Sequence, residues 1–168
     1  LCLLAQWSVA QAPKWVEKAK RAVFSVVTYD ESDKILNTGN GFFVTEDGIA
    51  LSDYSLFKGA QRAVVINSEG EQMPVEVIMG ANDMYDVVKF RVAISGKKVP
   101  ALVVSPTAPT VGTSVYLLPY STQKDRSYTA GQVKEESKVE EPIIDKELER
   151  YYDDPLFSTK SKYNDDFH

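Results

Sequence analysis

Gly39-Asn40-Gly41-Phe42-Phe43-Val44-Thr45, then Glu46-Asp47-Gly48, then Ile49-Ala50-Leu51-Ser52-Asp53-Tyr54-Ser55-Leu56-Phe57-Lys58-Gly59-Ala60 is the stretch on which the fold turns. Its first part is aromatic and β-branched behind a glycine-rich opening, which predicts a strand over 38–45. The acid-acid-glycine triplet is a hairpin signal, and a second strand over 49–53 follows it. Working outward, residues 22–29 (Ala-Val-Phe-Ser-Val-Val-Thr-Tyr) form another strand-like run and stop at the turn signal Asp30-Glu31-Ser32-Asp33. Strands over 62–67, 72–79 and 86–92 complete a first group, with Asn67-Ser68-Glu69-Gly70 turning between two of them. Short strands at this spacing predict an all-β fold, barrel or sandwich. Inward side chains are expected at Phe24, Val26, Phe42, Val44, Val65, Val77 and Val88.

A polar link at 93–98 leads to a second, smaller group with strands over 101–104, 113–118 and 128–133. A short helix over 14–20 precedes the first group. From Lys134 the character changes: Glu135, Glu136, Glu140 and Glu141 lead into a segment dense in acids and aromatics. Its aromatics Tyr151, Tyr152, Phe157, Tyr163 and Phe167 have two readings. They belong to a flexible end, or Tyr151, Tyr152 and Phe157 are anchors that bury against a protein or peptide partner. The chain therefore divides into 1–12, 13–95, 96–141 and 142–168.

Composition limits the function classes. With 43% hydrophobic and 26% charged residues the chain is globular in type; its net charge of −5 and pI of about 5.0 argue against a nucleic-acid footprint. The one cysteine, Cys2, allows no intrachain disulfide, and the one histidine, His168, rules out a histidine-rich zinc site. Asp53, Asp83 and Asp86 have no spacing that suits a calcium loop, so no metal and no cofactor are expected. No apolar run reaches membrane-spanning length.

At the amino terminus, Leu1-Cys2-Leu3-Leu4-Ala5 through Ala10-Gln11-Ala12 has the pattern of a signal core with a small-x-small cleavage site. The other reading is a short helix packed on the core. The first implies export to a bacterial periplasm or cell envelope, where a mature chain without cysteine avoids disulfide mispairing.

Three blocks carry a resemblance to the trypsin-like serine proteases over residues 22–136, nearest the HtrA-type branch. Gly39-Asn40-Gly41-Phe42-Phe43-Val44 resembles that family's Gly-x-Gly-Phe strand. Gly48 through Ala60 resembles the strand end that carries the family's histidine, where the pattern is Thr-Asn-x-His. Ala81-Asn82-Asp83-Met84-Tyr85-Asp86-Val87-Val88-Lys89 resembles the block that carries its aspartate. The resemblance implies a six-stranded antiparallel barrel followed by a partial second barrel, with Gly112 through Tyr116 and Tyr128 through Val133 as the second barrel's opening strands.

It also implies a site. Asp86 falls on the aspartate of the triad, and Ser55 stands where the histidine belongs. A serine hydroxyl cannot relay a proton as imidazole does, and no Gly-x-Ser-Gly block occurs after Gly131. The resemblance therefore implies vestigial triad positions at Ser55 and Asp86, with no catalytic set intact, and a protein- or peptide-binding module. The rival is a working endopeptidase whose nucleophile lies outside these residues. Ser55 also reads as an ordinary loop or helix-capping serine, and Asp86 as a turn cap hydrogen-bonded to it. Ser121, with Lys124 and Asp125 nearby, is the other serine with a neighbouring base.

Overall fold

The computed structural model describes residues 13–121 and 129–133. Six antiparallel strands, β1 (Val23–Tyr29), β2 (Ile35–Phe43), β3 (Ile49–Ser52), β4 (Arg62–Ile66), β5 (Gln72–Asn82) and β6 (Val87–Val92), close into a barrel in the order β1-β2-β3-β6-β5-β4. Closure leaves this sheet no free edge. A separate two-stranded sheet pairs β7 (Ser114–Leu117) with β8 (Thr129–Gln132). The all-β barrel and the smaller, unclosed second sheet agree with the sequence expectation.

Helix α1 (Lys14–Lys20) enters ahead of β1. Pro13 precedes its first turn with a fixed φ of −52°; Glu17 in that first turn and Lys18 and Lys20 in the last match the helix dipole. Val16 is fully buried beneath it. On the other side of α1, the Trp15 ring meets Tyr116 of β7 edge-on at 5.1 Å.

The barrel interior is aromatic. Phe24, Phe43, Phe57 and Phe90 are fully buried, with Phe24 against Phe43 and Phe57 against Phe90 at 4.9 Å between ring centroids. Each such ring stabilises the fold by roughly 1.5–3 kcal/mol relative to exposure. Phe24, Val26, Val65, Val77 and Val88 are buried as expected.

Phe42 and Val44 are corrections: both are only half-buried, and Phe43 occupies the core instead. The register explains it. Phe24 pairs with Gly41 and Val26 with Gly39, so the glycines share the inward face with those two side chains. Period-two alternation then sends Phe43 inward and Phe42 outward. A second correction concerns 101–104, which forms no strand. Pro100 has no N–H to give, Val103 is 95% exposed, and the Leu102 N–H donation to the Phe43 carbonyl at 2.8 Å is all the ladder that forms there. The expected strand over 49–53 stops one residue early, at Ser52, and runs into a short helix, α2 (Tyr54–Phe57), that the sequence reading did not foresee.

Candidate functional site

Ser55 sits in the first turn of α2 and Asp86 at the entry to β6, 31 residues apart in sequence. The fold brings them together. The Ser55 backbone N–H donates to Asp86 Oδ1 at 2.6 Å, and the Ser55 hydroxyl donates to Asp86 Oδ2 at 2.9 Å. A third bond comes from the Tyr54 N–H to the Asp86 carbonyl at 3.2 Å. Asp86 itself has φ of 55°, a left-handed conformation that Asp and Asn adopt more readily than most residues. Asn82 prepares it: its Oδ1 accepts the Tyr85 N–H at 2.9 Å and so tightens the turn before β6.

The far side of α2 is held by different residues. Thr28 Oγ1 donates to the Leu56 carbonyl at 2.8 Å and accepts the Asn37 N–H at 3.2 Å, while Asn37 Nδ2 reaches the same carbonyl at 3.4 Å. Thr28 is fully buried in β1, so its hydroxyl must be satisfied there. A Cβ at Gly39 would collide with the Leu56 side chain, so this glycine gives Leu56 its seat. Ser55 is thus positioned from two directions, by Asp86 and by the Thr28–Asn37 pair. Sequence reading found the first anchor through its block spacing and missed the second; the available signal was two polar side chains, Thr28 and Asn37, in otherwise strand-like runs.

Chemically, the pair is a carboxylate whose two oxygens are both engaged by one serine. Among the described residues no imidazole stands beside it; the chain's only histidine, His168, lies outside them. Imidazole is the side chain whose ordinary pKa, about 6.5, lets it take and return a proton at neutral pH. Lys58 forms an exposed ion pair with Asp83 at 3.0 Å, of the class that contributes about 0–1 kcal/mol. Among the described residues no group of three potential ligands gathers to hold a metal ion, Asp53, Asp83 and Asp86 included. Ser121 is buried at 6% exposure, while Lys124 and Asp125 lie outside the described residues. Residues 1–12 and the tail residues Tyr151, Tyr152 and Phe157 lie outside them too.

Asp53, just before α2, has its carboxyl pushed above the usual range, first by burial and then by the Asp86 charge. Its carboxyl makes no capping bond to the helix. A carboxyl raised in the folded state favours folding at a pH below its unfolded pKa, and that contribution is lost as pH rises through the folded pKa. Asp53→Asn is therefore expected to raise the urea midpoint at pH 7, by a small amount because solvent screens this largely exposed carboxyl. The gain should vanish near pH 3, where both forms are neutral. Equal midpoints at pH 7 would show that the strain is absent.

A family model described as a trypsin-like peptidase domain matches residues 39–165, from the glycine-rich middle of β2 past the end of β8. No curated protein matches the chain.

Proposed function

We propose that this chain, which belongs to the trypsin-like peptidase family, is a member that has exchanged catalysis for binding. The observation that carries this reading is the Ser55–Asp86 pair. In this family the aspartate orients a histidine, which relays the proton from the attacking serine. Here the group on Asp86 is a hydroxyl, and its proton and its backbone N–H are both committed to the carboxylate. The pair supports α2 and has no means of activating a nucleophile. A protease fold without its base keeps a concave surface suited to an extended peptide or a protein, which makes a binding or scaffold module the natural residual role.

The order of the three sequence blocks is what supports reading the chain as nearest the HtrA-type branch of the family. The leader-like residues 1–12 favour export to the periplasm or envelope, and amino-terminal sequencing of native protein should then begin at Pro13. The tail aromatics Tyr151, Tyr152 and Phe157 are the partner anchors in this reading. Deleting 142–168 should remove captured partners, and full retention of them would assign the tail no such part.

Activity is tested with a fluorophosphonate probe and a casein substrate, using the protein from its native host. No serine should be labelled and no turnover detected, with Ser55→His equally inactive. Stoichiometric labelling of any serine would overturn the proposal and favour an endopeptidase that draws its nucleophile from outside these residues.

A further inference from the structure

The barrel's other end holds a second feature. Arg21 precedes β1, Phe43 ends β2, Glu69 lies in the β4–β5 turn and Ile94 follows β6, whereas Ser55 follows β3 and Asp86 precedes β6. Since β6 runs from one group to the other, the two sites are separated by the barrel's length. Here a cavity of about 210 Å³ opens over an apolar floor of Phe43, Met73, Ile94 and Val99. That volume accommodates a ligand the size of a single amino acid and falls below the usual range for drug-sized molecules.

Its rim carries both signs of charge. Lys97 and Lys98 have acids of their own, Glu71 at 3.5 Å and Glu46 at 3.8 Å. Arg21 and Glu69 also line the cavity, and among the described residues neither side chain makes an ion pair or a hydrogen bond, with each other or with anything else. Two uncommitted opposite charges thus border one small cavity, part polar and part apolar in its lining, without pairing with each other. A ligand that satisfies all three features has a carboxylate for Arg21, an ammonium for Glu69, and an apolar body for the floor. A peptide carboxy terminus would leave Glu69 without a partner, and a peptide amino terminus would leave Arg21 without one. Complementarity of charge and size selects the zwitterion.

We infer that this cavity binds a free apolar α-amino acid. The inference is independent of the reading of the Ser55 site. Calorimetry and NMR titration of the full chain with L-leucine, N-acetyl-L-leucine and L-leucinamide test it. Leucine should bind saturably at millimolar concentration or below, and blocking either charged group should weaken binding about two- to fivefold, the loss of one solvent-exposed charge contact. Arg21→Gln should abolish the difference between leucine and leucinamide; Glu69→Gln should abolish that between leucine and N-acetyl-leucine. Both side chains are exposed, so neither change threatens the fold. Equal binding of leucine and N-acetyl-leucine would overturn the inference in favour of a peptide carboxy terminus. Equal binding of aspartate would remove the role of the apolar floor. Absence of saturable binding would overturn it outright.

Discussion

Gly41→Ala should destabilise the barrel by about 3 kcal/mol or more, at the upper end of what overpacked cores cost. An added Cβ at Gly41 would lie 2.7 Å from the Leu51 carbonyl oxygen and 2.5 Å from the Phe24 ring. The first of these is backbone. Leu51 belongs to β3 and is paired on both sides, with Phe42 of β2 and Lys89 of β6, so its carbonyl cannot retreat without opening the ladder. Nor can the ring move, since Phe24 is fully buried and rests on Phe43 at 4.9 Å. Gly59→Ala is the control: φ there is +78°, and nothing lies within 4 Å of the added atom. Its cost should be only the backbone term, about 1–2 kcal/mol. Urea denaturation of both variants checks the contrast, and a Gly41→Ala midpoint no lower than that of Gly59→Ala would contradict this account of barrel closure.

The hairpin at Glu46-Asp47-Gly48 and the strands on either side were legible because turn chemistry and β-branched runs are local signals. The inward face of β2 was not. An aromatic pair, Phe42-Phe43, offers either parity, and the choice depends on which β1 side chains face the glycines across the ladder. Ser55 and Asp86 were legible as a pair through their spacing in family-like blocks. The Thr28 and Asn37 anchors were not, because their value lies in meeting the Leu56 carbonyl, 28 and 19 residues away. The tight turn at α2 escaped notice for a related reason. Four residues are too few for a helical periodicity, and the segment is held by long-range bonds rather than by propensity.

Asp86→Ala should destabilise the protein by about 2–4 kcal/mol and should do so without any effect on peptide hydrolysis. Two hydrogen bonds to a carboxylate are lost, each of a class that contributes about 1.5–3 kcal/mol when shielded and less when half-exposed as here. Alanine at φ of 55° adds a backbone cost of roughly 1 kcal/mol that aspartate and asparagine bear more easily. Removing the Asp86 charge relieves Asp53, which offsets a small part of the loss. Asp86→Asn keeps the backbone preference and one acceptor, so it should cost about half as much. Ser55→Ala removes only the hydroxyl bond and leaves the backbone N–H on Asp86 Oδ1, for about 1 kcal/mol or less. The order Asp86→Ala, Asp86→Asn, Ser55→Ala distinguishes a mechanical anchor from a catalytic pair. In a working triad, loss of either member would be felt in rate by several orders of magnitude and only weakly in stability. In this chain the carboxylate holds α2 to the β5–β6 turn, so its removal should register in the denaturation midpoint alone. A double-mutant cycle between the two positions should give a coupling near the cost of Ser55→Ala itself, because that bond is what they share. A coupling of zero would mean that the hydroxyl is not bound to Asp86 in solution, and the anchor would then rest on the backbone bonds of Tyr54 and Ser55 alone.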